Sequence, residues 1–247
     1  RSTLFPYTTL FRSLFLGIAG IKFKVETDER EEAVLNVLPG NNCGGCGFAG
    51  CSGLAAAIVK GEAAVNACPV GGESVGSQIA KIMGVEAGSS ERLVAFVHCK
   101  GDCEKAGTDY DYTGVTDCRM MAFVPGGGPK SCNSGCMGYG SCVRECPFDA
   151  IHIISGVAVV DREACKACGK CVAVCPKKLI SLIPYRAKTE VVCSSTDKGP
   201  VTMKACQVGC IGCGICVKQC ECDAVTVENN VAHIDQSKCI ACGKCAE

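Results

Sequence analysis

The sequence predicts an α+β chain: one small helical domain rich in cysteine, followed by two copies of a β-hairpin module that is richer still. Three observations lead there. Apolar residues make up 48%, yet aromatics reach only 5% and tryptophan is absent, so one large core closing all 247 residues is not expected. Cysteine reaches 25 residues. The spacing of those cysteines also repeats at a fixed offset of 74 positions.

In chain order, residues 1–13 show no clear helix or strand period and resemble a translated sequencing adaptor, so they are set aside as non-native. Residues 14–24 hold an apolar run, Leu14 to Ile21, that stops at Lys22 and Lys24. A bilayer span needs about 20 such residues. The run therefore reads as the cytoplasmic end of a truncated membrane anchor, with a short buried strand or helix as the alternative.

Residues 25–88 form the helical domain. It carries Cys43-x2-Cys46-x4-Cys51-x16-Cys68-Pro69 among Gly44, Gly45, Gly47 and Gly50, and the apolar run Ser52 to Lys60 predicts a helix ending before Gly61. Residues 89–129 are read as a connecting segment containing Cys99, Cys103 and Cys118 and closing on the linker Pro125-Gly126-Gly127-Gly128-Pro129. Residues 130–184 and 185–247 are the two modules. Within them Ile151–Val159 and Val225–His233 each hold two β-branched runs around a two-residue turn, Ser155-Gly156 or Asn229-Asn230, and predict hairpins.

The offset of 74 maps Cys132, Cys136, Cys142, Cys146, Cys165, Cys168 and Cys171 onto Cys206, Cys210, Cys216, Cys220, Cys239, Cys242 and Cys245. It carries Cys175 to position 249, past Glu247, so the chain is expected to be a fragment that lacks the fourth cysteine of its last motif. Disulfides fit poorly. Cysteines two or three residues apart in one loop bridge only with strain but converge easily on a metal, and no secretory signal is visible.

Cys165-x2-Cys168-x2-Cys171-x3-Cys175-Pro176 matches the bacterial ferredoxin signature, in which three cysteines hold one [4Fe–4S] cluster and the fourth reaches the other. That rule predicts Cys165, Cys168 and Cys171 with Cys146 on one cluster. It predicts Cys132, Cys136 and Cys142 with Cys175 on another, Cys132 standing in because Tyr139 occupies the middle position of its loop. In the second module Cys239, Cys242 and Cys245 take Cys220. Cys210, Cys213 and Cys216 are left without a fourth ligand, and Cys206 is either surplus or a substitute there.

Cys43, Cys46, Cys51 and Cys68 make one further cluster, and a sixth is expected on Cys99, Cys103, Cys118 and Cys193, with inert buried thiols as the alternative. The expected cofactors are thus about five or six [4Fe–4S] clusters. Zinc prefers two separated Cys-x2-Cys pairs and fits these triplets less well. His98, His152 and His233 are scattered and read as structural, and Cys222 has no assigned role.

Lys+Arg and Asp+Glu both number 25, which gives no basic footprint for nucleic acid. No phosphate loop or Gly-x-Gly-x-x-Gly turn is present. No acid–base or nucleophilic constellation is seen either, as suits outer-sphere electron transfer.

The anchor stub, Glu31-Glu32-Ala33-Val34-Leu35, Leu38-Pro39-Gly40-Asn41-Asn42-Cys43-Gly44-Gly45-Cys46-Gly47, Cys68-Pro69-Val70-Gly71-Gly72, and Gly128-Pro129-Lys130-Ser131-Cys132 leading into the ferredoxin repeats belong together. They resemble a known family, the B subunit of the Rnf electron-transport complex in its cluster-rich clostridial-like form. The resemblance covers residues 14–247. It implies an iron–sulfur subunit anchored at the cytoplasmic face of the cell membrane, relaying electrons from reduced ferredoxin to flavin subunits of a translocase that reduces NAD and pumps Na+ or H+. The chain departs from the family pattern at Cys220-Glu221-Cys222, where a proline often follows the first cysteine. Two other readings are a corrinoid- or reductase-associated Fe–S activator and a zinc-binding interaction module.

Overall fold

The computed structural model describes Phe15, residues 28–88 and residues 91–246. The expectations for residues 1–13 and, Phe15 apart, for the anchor stub 14–24 lie outside the described residues. The described part is a mixed α and β structure with three helices first and three two-stranded antiparallel sheets after them.

Helix α1 (Glu29–Val37) is capped by the Asp28 carboxylate, which accepts from the Arg30 backbone N–H at 2.9 Å, and Glu29, Glu31 and Glu32 complement the positive end of the helix dipole. Helix α2 (Gly50–Val59) begins two residues before the run that predicts it and takes Cys51 into its first turn. Helix α3 (Gly72–Met83) stops at Gly84, whose φ of 68° is the left-handed cap that glycine adopts without strain. Val34, Leu54, Ala55, Ile58, Ile79 and Cys68 close the core between them, and Cys46 and Cys51 pack against it.

Strand β1 (Leu93–Val97) pairs with β4 (Ile180–Pro184), Val94 facing Ile183 and Val97 facing Ile180. The segment expected to be a connector thus supplies one strand of the first module's own sheet. The Pro125–Gly127 stretch is a 3-10 turn rather than a free linker: the Tyr110 hydroxyl donates to the Pro125 carbonyl at 2.8 Å.

Both expected hairpins form. β2 (Ile151–Ile154) pairs with β3 (Val157–Val160), and β5 (Val225–Glu228) with β6 (Val231–Ile234), in the same register. Ser155 and Gly156 have φ of 47° and 77°, Asn229 and Asn230 of 49° and 64°. Positive φ at both central residues is the turn whose twist matches antiparallel strands. Short helices α4 (Ser141–Arg144), α5 (Lys170–Val174) and α7 (Ile215–Gln219) follow cysteine loops, and α6 (Gly199–Ala205) leads into Cys206.

The first module's core mixes aliphatics with thiols: Val94, Ala95, Ala150, Ile151, Ile180 and Ile183 surround Cys142, Cys165 and Cys171. Such a core is apolar but lined with sulfur.

Candidate metal centres

Each cysteine loop is curled by residues in the left-handed region. Ala167 (φ 51°) and Gly169 (φ 76°) recur as Ala241 (56°) and Gly243 (83°), and Gly138 and Gly140 recur as Gly212 and Gly214. An alanine there costs about 1–2 kcal/mol. The chain tolerates that cost twice, at the same place in each triplet, where the curl turns three thiols toward one point.

One cavity is lined by Cys146, Cys165, Cys168 and Cys171, the grouping expected from the motif. A second is lined by Cys136, Cys142 and Cys175, as expected, but its fourth thiol is Cys118 and not Cys132. Tyr139 fills the place of the loop's middle cysteine, and Cys118 comes in from the connecting segment. The Cys118 N–H donates to Ser141 Oγ at 3.1 Å, and the neighbouring Asp117 is held by Arg119 and Arg144, which keep its carboxyl at about 2.

Cys132 lines a third cavity, together with Cys99, Cys193 and Cys206. Cys132 and Cys206 occupy equivalent places in the two repeats, so this cavity draws thiols from both modules. The expected quartet of Cys99, Cys103, Cys118 and Cys193 is therefore not brought together. Cys103 is exposed and its N–H donates to the Ser155 carbonyl at the hairpin turn. Cys206 lines the third cavity, and the charges that Cys216 feels are those of Cys210 and Cys213.

Cys68 is near enough to Cys43 and Cys46 to feel their charge, Cys216 to feel Cys210 and Cys213, and Cys245 to feel Cys220, Cys239 and Cys242. Cys222 Sγ lies 3.6 Å from Cys220 Sγ. Among the described residues no three His, Cys, Asp or Glu side chains close tightly enough to hold a single metal ion. The thiols stand around cavities instead.

The donors around these cavities suit sulfur-bound iron. Backbone N–H groups aim at thiol sulfur: Ala95 at Cys165 (3.4 Å), Cys136 at Cys99 (3.3 Å), Ser195 at Cys193 (3.4 Å) and Gly71 at Cys68 (3.4 Å). The fourth residue after Cys146, Cys175 and Cys220 does the same at 3.4 Å in each case, so Glu221 in place of proline leaves this bond intact. Such N–H groups stabilise thiolates carrying a cluster and tune its potential. Burial pushes the Cys142 thiol up to about 11 and Cys171 to about 12, protons that iron must displace. His98 is held by the Val191 carbonyl (2.9 Å) and Ser181 Oγ (2.6 Å) and lines the third cavity without a free nitrogen.

Known families match at these places. A family model described as a putative Fe-S cluster matches residues 38–70, and one described as a 4Fe-4S binding domain matches residues 158–181. The chain is 50% identical, over 94% of its length and 70% of the relative's, to the B subunit of the Na(+)-translocating ferredoxin:NAD(+) oxidoreductase complex of Acetobacterium woodii. It belongs to the B-subunit family of Rnf-type ion-translocating oxidoreductase complexes.

Other B subunits agree. That of the ion-translocating oxidoreductase complex of Methanosarcina acetivorans is 44% identical over 94% of this chain and 88% of its own length. That of the proton-translocating ferredoxin:NAD(+) oxidoreductase complex of Clostridium ljungdahlii is 44% identical over 95% and 83%. As a B subunit the chain is an iron–sulfur electron-transfer component of a multi-subunit, membrane-associated oxidoreductase. Among its described residues no helix is long and apolar enough to cross a membrane.

Proposed function

We propose that this B subunit carries electrons from reduced ferredoxin along six [4Fe–4S] sites toward the flavin-bearing subunits of its complex, at the cytoplasmic face of the membrane. Bound to thiolate, each such cluster supplies exchange of one electron at a time. The ligand sets are Cys43/Cys46/Cys51/Cys68, Cys146/Cys165/Cys168/Cys171, Cys118/Cys136/Cys142/Cys175, Cys99/Cys132/Cys193/Cys206, Cys210/Cys213/Cys216 and Cys220/Cys239/Cys242/Cys245. The domain plan of one helical unit and two ferredoxin-like modules stands with this reading, the 89–129 segment being part of the first module.

The observation that supports the proposal is the Cys99/Cys132/Cys193/Cys206 cavity, whose thiols come from both modules. The Cys136 N–H reaches Cys99 Sγ, Cys171 feels the charge of Cys142, and Cys168 feels that of Cys43. At Gly45 a side-chain carbon would stand 2.8 Å from the Cys168 carbonyl oxygen, so the helical domain's loop rests directly on the first module's cysteine loop.

Anaerobic iron and sulfide analysis with electron paramagnetic resonance of Cys118→Ser, Cys132→Ser and Cys136→Ser tests the grouping. Cys118→Ser and Cys136→Ser should lose the same signal and Cys132→Ser a different one. Loss of one common signal in Cys132→Ser and Cys136→Ser, with Cys118→Ser unchanged, would restore the grouping expected from the motif alone. A colourless, zinc-loaded wild-type chain would end the electron-transfer reading. Rapid oxidation of reduced ferredoxin by the wild-type chain tests the donor.

A further inference from the structure

Lys130 is the one charged residue buried among the described residues. Its ammonium donates to three carbonyl oxygens, those of Gly101 (2.6 Å), Cys136 (2.7 Å) and Gly156 (3.4 Å), which uses all three N–H bonds of the charged form. No carboxylate among the described residues pairs with it. A buried cation without a counter-ion is costly, so its position calls for one.

Two candidates for that counter-charge adjoin it. Lys130 lines the Cys99/Cys132/Cys193/Cys206 cavity, while the carbonyl it binds belongs to Cys136, whose thiol lines the other one. Lys177 lines the Cys118/Cys136/Cys142/Cys175 cavity and donates to the Asn133 carbonyl at 2.7 Å. Four thiolates outweigh the positive charge of an iron–sulfur core, so each loaded site is anionic, and gaining an electron makes it more so. A fixed cation nearby favours the reduced form, since local charge and hydrogen bonding set cluster potential.

We propose that Lys130, seconded by Lys177, raises the reduction potential of the two clusters on either side of Cys136 and makes that pair the place where electrons collect between the modules. This rests on the ligand sets proposed above. Both lysines are positioning residues that act through the cluster charge and touch no reacting partner.

The experiment is a redox titration of the full chain, purified anaerobically and followed by electron paramagnetic resonance, for wild type, Lys130→Gln, Lys177→Gln and the remote Lys60→Gln. Glutamine keeps a donor and removes the charge. Lys130→Gln should keep its iron and sulfide while two signals fall in potential, the reduced-to-oxidised ratio at fixed potential dropping at least tenfold, which is about 59 mV for a one-electron couple. Lys177→Gln should move the same two signals less, and Lys60→Gln none. Full iron with unmoved potentials in Lys130→Gln would reduce the lysine to a staple between three loops and overturn the proposal. Should Lys130→Gln lose its iron, Lys177→Gln decides: a fall in those two signals upholds the proposal and unmoved potentials overturn it. A wild-type chain without clusters would instead sink the ligand sets, a result easily told apart.

Discussion

The two ferredoxin-like modules share a cysteine pattern and a hairpin register but not a burial. In the first, Cys142, Cys165 and Cys171 are in the core; their counterparts Cys216, Cys239 and Cys245 are only half-buried. The contrast is sharpest at Ser141, 2% exposed, against Ile215, 61% exposed at the equivalent place. Ser141 accepts the Cys118 N–H, so the connecting segment covers it. Among the described residues nothing equivalent lies on Ile215. The motif therefore brings the thiols of its own loop together, while chain outside the motif completes the set and decides how far it is shielded from water.

The largest effect expected from this difference is on cluster loading. Cys171→Ser, in a core where burial holds the thiol at about 12, should remove one cubane, roughly four irons per chain, and loosen the first module with it. Cys245→Ser should remove the same iron and leave the first module's signals untouched. Equal damage to both modules would break the comparison.

A smaller effect concerns solvent access. Exposed to a ferrous chelator under argon, the wild-type chain should release the iron of the Cys210–Cys245 sites several-fold faster than that of the Cys132–Cys175 sites, with the fading of individual paramagnetic signals as the readout. The reverse order would show that shielding by residues 89–129 does not govern cluster lifetime.

The smallest effect separates the hairpin turns. A side-chain carbon at Gly156 would overlap Cys103 Sγ, whereas Asn230 donates to the Thr196 carbonyl at 2.9 Å in open surroundings. Gly156→Asn should lower stability by about 1–3 kcal/mol through overpacking. Asn230→Gly should change it by no more than about 1 kcal/mol, losing one hydrogen bond but relieving the left-handed residue. Urea midpoints of the anaerobic loaded protein, followed by cluster absorbance, measure both.

What can be read in the sequence is local. The hairpins are legible because Ser155-Gly156 and Asn229-Asn230 fit one turn type, and the Cys146/Cys165/Cys168/Cys171 cavity because three of its members share a loop. The second and third cavities are not, since their membership depends on where residues 89–129 travel. One signal is present: Tyr139 leaves its loop a thiol short, and Cys118 and Cys193 precede Cys132 and Cys206 by 14 and 13 residues, one step out of register with the repeat. That slip separates their fates. Cys118 repairs the first module's loop, and Cys193 joins the cavity between modules. Helix α3, which the expectations above do not include, is legible as well: Val75, Ile79 and Ile82 recur at the spacing of one helix face and Gly84 supplies the stop.

The contact at Gly45 has a consequence for speed. Tunnelling rates decay exponentially with the gap between redox centres, so how closely the loops that would hold two clusters approach each other bears on the traffic between them. At that boundary this chain has spared a single carbon atom. Adding one would push the helical unit outward with every cysteine still in place, slowing the current without touching the wiring.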